Sequence, residues 1–147
     1  MLGMETPRVS AYSIESVVAE KFEAALDLAD LNSRMKDFYD IWALSLSNEF
    51  DGKVLREAII ATCSRRQTTI ETQAELFSSD FANRTDKQTQ WKAFIQKGMF
   101  EQAPETFIYL MREFRAFLFP LTESIEKNKS FNVRWTPGGT WVDKDNH

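Results

Sequence analysis

The sequence predicts an all-α domain of about five helices in a compact bundle. Three observations predict it. Apolar residues recur at helical spacing through most of the chain. Glycine (5) and proline (4) are scarce, which leaves few sites for the tight turns of an all-β design. Apolar residues make up 43% of the 147 residues, enough for one core in one domain of ordinary size. We place that domain at residues 1–127 and read residues 128–147 as a flexible polar tail.

Residues 1–11, with Pro7, read as a frayed lead-in. Ser13 stands where an N-cap belongs, and Glu15 puts a negative charge in the first turn. Ile14, Val17, Val18, Phe22, Ala25, Leu28 and Ala29 then follow a 3.6-residue pattern. The first helix is expected over 13–29 and the second over 33–47, packed antiparallel through a short connection. Asp51 can cap a third helix to about Arg66, with Val54, Leu55, Ala58, Ile59 and Thr62 on one side. Residues 67–84 read as a loop with one short turn around Leu76–Phe81. A fourth helix is expected from about Asp86 to Lys97, stopped by Gly98. The fifth is the clearest: Phe107, Leu110, Met111, Phe114, Phe117, Leu118 and Leu121 share a stripe, while Arg112, Glu113 and Arg115 lie mostly off it. Pro120 is expected to interrupt it near its end. From Lys127 the chain turns polar and carries Pro137-Gly138-Gly139.

Residue counts close off several chemistries. Cys63 is the one cysteine and His147 the one histidine. A His/Cys zinc site, a Ser-His-Asp triad and a Cys-His pair are therefore not expected. One cysteine permits no internal disulfide and fits a reducing compartment. Eighteen Lys and Arg against 22 Asp and Glu give a formal charge of −4, which argues against a broad basic nucleic-acid face. No apolar run is long enough to span a membrane, and Met1 to Ser10 carries no signal-peptide pattern. The expected address is the cytoplasm.

Two helices break their own patterns. Lys21 falls in the middle of the first helix's apolar arc, where an ammonium must pair or reach water. In the second helix Arg34, Asp37, Ile41 and Leu44 share a stripe with Phe38 and Trp42 alongside. Arg34 and Asp37 are i,i+3 neighbours, as are Asp37 and Asp40, and Lys36 and Asp40 are i,i+4 neighbours. Ordinary helix salt bridges would account for either helix alone. Two adjacent helices that both aim charge inward point instead to a polar site.

The runs Ser13-Ile-Glu-Ser-Val-Val-Ala-Glu-Lys21 and Arg34-Met-Lys-Asp37-Phe-Tyr-Asp40-Ile resemble the third and fourth motifs of the AbiEii/AbiGii-type nucleotidyltransferase toxins, over roughly residues 10–120. The resemblance implies a toxin of a bacterial toxin–antitoxin and phage-defence (abortive infection) system. It implies a helical part that follows a polymerase β-like core. It also implies roles for residues. Lys21 would contact the nucleotide phosphates, with Arg34 and Lys36 beside it, and Asp37 and Asp40 would act in catalysis or position the substrate. Phosphoryl chemistry needs such a set, cations for the triphosphate and a carboxylate for the attacking proton. Mg²⁺, a nucleoside triphosphate and an RNA acceptor are implied for the intact family.

The chain departs from the family pattern upstream of Lys21. The family's Gly-Gly/Ser turn and Asp-x-Asp metal pair precede the lysine motif, and the roughly twenty residues here contain neither. We therefore expect the helical C-terminal part alone, with no cofactor of its own and no transfer by this chain by itself. Its partners would be a separate N-terminal half or a cognate antitoxin. A stand-alone binding module that kept the fold and lost the chemistry is the alternative. Gly138-Gly139-Thr140 and Asp143-Lys-Asp145 mimic the missing motif, but too closely spaced for a strand to separate them, and we read them as chance. Arg65-Arg66 is a weaker phosphate candidate. Trp91, Phe94 and Cys63 read as core.

Overall fold

In a computed structural model the chain is described over residues 13–28 and 34–144. The expected lead-in with Pro7, Ala29, the start of the second helix at Ser33, Asp145 and His147 lie outside these residues. Among the described residues there are six α-helices, one 3-10 turn and a small sheet. They are α1 (Ile14–Leu28), α2 (Met35–Ser47), α3 (Gly52–Arg66), the 3-10 turn Glu75–Phe77, α4 (Ser79–Ala82), α5 (Thr85–Gly98) and α6 (Phe107–Glu126). The sheet has β1 (Phe50–Asp51), β2 (Val133–Trp135) and β3 (Trp141–Asp143). The fold is thus mostly helical, as expected, and none of the described helices is long and apolar enough to cross a membrane.

The caps follow local chemistry. Ser13 Oγ accepts from the amide of Ser16 at 3.0 Å and so opens α1. Asp51 accepts from the amides of Lys53 and Val54 and opens α3. Its carboxylate also pairs with Lys144 at 2.9 Å. Burial pushes the Asp51 pKa up, but the Lys144 ammonium and the two amides outweigh it, and the net shift is downward. α5 runs through Gly98, and the left-handed residue after it is Met99, with φ 52°.

The core is aromatic. Phe38 packs against Phe81, Phe107 and Phe114, with ring centroids 5.4–6.2 Å apart. Phe22 of α1 meets Phe77 and Phe114. Tilted and edge-on pairs of this kind contribute beyond their buried area. Trp91 is buried and donates its indole N–H to Pro104 O at 2.9 Å, so Trp91 is core as expected, and Phe94 stacks on it.

Residues 67–84 hold more order than the single turn expected. The 3-10 turn and α4 follow each other there, with Ser78 Oγ capping α4 through the Phe81 amide at 3.1 Å. Their Leu76, Phe77 and Phe81 are buried. A period of a few residues in a four-residue helix leaves no pattern to read.

The segment from Lys127 also differs from the expected loop. β2 and β3 form an antiparallel hairpin in which Trp135 faces Trp141, and β1 pairs with β2 through Phe50 and Trp135. Trp135 is buried and packs on Phe117 at 4.7 Å. Its indole N–H donates to Ser45 O at 2.7 Å, and the Gly138 amide donates to the same carbonyl at 2.9 Å. The hairpin thereby satisfies a carbonyl in the last turn of α2, where the helix has no donor of its own to offer. Gly138 has φ +64°, and a Cβ there would also sit 3.1 Å from Leu46 Cδ1. The Gly-Gly-Thr run is the hairpin turn.

Pro120 does not end α6. The helix continues to Glu126. Proline brings no N–H to the carbonyl four residues back. In the same turn, the Trp141 indole donates to Phe117 O at 2.8 Å. The carbonyl that Pro120 leaves without an amide is Ala116 O, one residue earlier, and the indole bond ties the hairpin to α6 beside it.

Two outcomes follow for stability. Trp135→Ala should cost about 3–5 kcal/mol in urea unfolding, because it removes a buried indole and leaves Ser45 O one donor short. Asp51→Ala should cost about 1–2 kcal/mol, measured the same way, through the lost α3 cap.

Candidate functional site

α1 and α2 bring Lys21, Asp37 and Asp40 together. Lys21 Nζ lies 2.9 Å from Asp40 Oδ2 and 3.7 Å from Asp37 Oδ1. Lys36 Nζ reaches the same Asp40 oxygen at 2.7 Å from the next turn up. The side chains of Lys21, Asp37 and Asp40 are 27%, 13% and 18% exposed. The ammonium that falls inside the apolar arc of α1 is therefore paired, with one side open to water. Phe22 and Phe38 hold the two helices on the same aromatic core, and this sets the register across which the charges meet.

Burial alone would raise the Asp40 pKa. The hydrogen bonds and charges of Lys21 and Lys36 outweigh it and hold the carboxyl below its ordinary value. Asp37 lies in the first turn of α2, where the helix dipole favours a carboxylate. Arg34 is the N-cap residue of α2, makes no side-chain cap and is exposed. The i,i+3 pairing of Arg34 with Asp37 does not form among the described residues: Asp37 faces Lys21 instead, because α1 packs on that side.

A second polar cluster lies between α1 and the end of α3. Glu20 takes Arg65 at 2.8 Å and Arg66 at 2.9 Å. Glu23 is buried, accepts the Thr68 hydroxyl at 2.6 Å and lies 3.6 Å from Arg66. Arg65-Arg66 is thus engaged by Glu20 and Glu23. Sequence periodicity missed Glu23 because α1 is buried on two sides, against α2 and against α3, and a single apolar arc describes one. The buried Ala19 beside it was the available signal. Burial and the charges of Glu23 and Glu20 push the Cys63 thiol up to about 11, so Cys63 stays protonated and inert at neutral pH.

The donor set decides the metal question for these residues. Among the described residues, no group of three or more His, Cys, Asp or Glu side chains could hold a metal ion. The carboxylates of Asp37 and Asp40 are met by the Lys21 and Lys36 ammoniums. The pair does not fit the Mg²⁺ that the resemblance implies.

Asp40→Asn should lower stability at pH 7 by about 1–3 kcal/mol, the scale of a hydrogen bond to a charged group. A depressed native pKa stabilises the fold above the ordinary Asp value of 3.8 and loses that contribution as pH falls through the native value. The difference between wild type and Asp40→Asn in urea unfolding should therefore shrink as the pH drops from 7 toward 3.

With the geometry in view, comparison with known proteins places the chain. The family model for the nucleotidyl transferase AbiEii toxin of type IV toxin–antitoxin systems matches residues 1–119. No curated protein and no solved structure matches. The matched stretch takes in Lys21, Asp37 and Asp40 and ends within α6, ahead of the β2–β3 hairpin. The chain belongs to the nucleotidyl transferase AbiEii toxin family of type IV toxin–antitoxin systems.

Proposed function

We propose that this helical unit is the phosphate- and acceptor-side part of a nucleotidyltransferase toxin. The observation that carries the reading is the line Lys36–Asp40–Lys21–Asp37 at a half-open edge between α1 and α2. Lys21, with Arg34 and Lys36 nearby, binds the phosphates of a nucleoside triphosphate. For that, Lys21 exchanges Asp40 for a phosphate oxygen, and its partly exposed head makes the exchange accessible. Asp37 or Asp40, released from its ammonium, then accepts the proton of the acceptor hydroxyl. The acceptor oxygen bonds to the α-phosphorus, and the bond to pyrophosphate breaks. RNA is the acceptor class proposed.

The carboxylates that hold the metal in this reading come from a nucleotidyltransferase core outside these residues. This chain by itself binds nucleotide and does not transfer it. A separate core or a cognate antitoxin is the proposed partner, and the cytoplasm the proposed site of action. A second reading is favoured by the double engagement of one Asp40 oxygen. In that reading the charges only fasten α1 to α2, and the chain is a binding module without chemistry.

Nucleotide titration separates the two. Lys21→Met should weaken nucleoside triphosphate binding by about tenfold or more, the loss of one charge-assisted phosphate contact. Unchanged binding in a folded Lys21→Met variant would favour the module. Mg²⁺-dependent label transfer to RNA by the purified chain should be undetectable, and robust turnover would refute the incomplete-centre reading.

A further inference from the structure

A concavity of about 500 Å³ lies between α4 and α6, lined in part by Ser79, Asn83, Ile108, Met111, Arg112 and Arg115. Its size is that of a small-molecule site. Arg112 and Arg115 are i,i+3 neighbours on α6 and so share a face. Neither forms an ion pair with any described residue, although Lys21, Lys36, Arg65, Arg66, Arg84 and Lys127 all do. In a chain with a net charge of −4, Arg112 and Arg115 put two guanidiniums without a carboxylate partner among the described residues at one cavity. No acidic residue lines it. The nearby Glu75 is engaged by Arg84 at 3.4 Å.

The Arg115 guanidinium is also held in place. Arg115 donates to Phe77 O at 2.7 Å, and its guanidinium carbon lies 3.8 Å from the centre of the Phe119 ring. One N–H is spent on that carbonyl, and no other described acceptor takes the rest. Arg112 lies 6.0 Å from the Tyr109 ring centre. Across the cavity, Asn83 is fixed by donating to Ser79 O at 2.8 Å, and Ser79 is exposed. The remaining wall is apolar: Met111 is buried and Ile108 is 38% exposed.

We propose that this concavity binds an organic phosphate monoester, with the phosphate on Arg112 and Arg115 and the carbon skeleton against Ile108 and Met111. Guanidinium donors match phosphate geometry, and a stacked, pre-oriented guanidinium loses little freedom on binding. The apolar wall distinguishes an organic ester from the free ion. The site is separate from the α1–α2 edge and does not depend on the function proposed for it.

Calorimetric titration at constant ionic strength tests this, with phenyl phosphate, inorganic phosphate and phenol as probes. Phenyl phosphate should bind more tightly than inorganic phosphate, and phenol should not bind. Arg112→Gln should weaken phenyl phosphate severalfold, and Arg112→Gln with Arg115→Gln tenfold or more. Ser79→Glu, which leaves both guanidiniums in place and adds a repelling carboxylate, should abolish binding while the urea midpoint stays unchanged. Equal affinity for inorganic phosphate would overturn the role given to the apolar wall. Full binding in the double Gln variant or in Ser79→Glu would overturn the site.

Discussion

The aromatic cluster around Phe38 and Phe114 is the constraint on which the rest depends. Phe114 touches Phe22 of α1, Phe38 of α2 and Phe77 of the 3-10 turn. Phe38 adds Phe81 of α4 and Phe107 at the start of α6. Five elements are thereby pinned to one set of rings. Rings in tilted and edge-on contact tolerate little sliding, because packing is dense and each displacement opens a void. Lys21 lies one residue before Phe22, and Asp37 one residue before Phe38. Seating the two rings places the ammonium opposite the carboxylates.

α1 is enclosed by polar contacts on two sides. Toward α2 it offers Lys21. Toward the end of α3 it offers Glu20 and Glu23, which engage Arg65, Arg66 and Thr68. The two sets differ in their partners. Glu23 is buried and bonded to a hydroxyl, as a structural carboxylate must be. Lys21 and Asp40 keep an open side.

The β2–β3 hairpin shows how a polar segment can belong to a core. Its two tryptophans deliver indole N–H groups to backbone carbonyls, Trp135 to Ser45 O and Trp141 to Phe117 O. One carbonyl lies near the end of α2, the other in the turn of α6 that contains Pro120. The first is a place where a helix end leaves an acceptor short of a donor. Each ring also buries its body on Phe117. α6 nonetheless continues past Pro120 to Glu126, and its turn there is tied to the hairpin through Phe117 O.

The sequence by itself determined the five longer helices, the caps at Ser13 and Asp51, the aromatic stripe of α6, and that Lys21 and Asp37 carry charge into the bundle. These properties depend on neighbours within about four positions along the chain, and such neighbours are legible without a fold. The paired motifs around Lys21 and Asp37 were legible for the same reason. Only the tertiary structure decided that Asp37 faces Lys21 and not Arg34, that Glu23 is buried, and that Arg112 and Arg115 share a cavity without a carboxylate. It alone turned the segment after Lys127 into strands, through partners as distant in sequence as Ser45 and Phe50. Those outcomes depend on which faces meet, and the packing of rings from separate helices sets that, not the order of residues along any one of them.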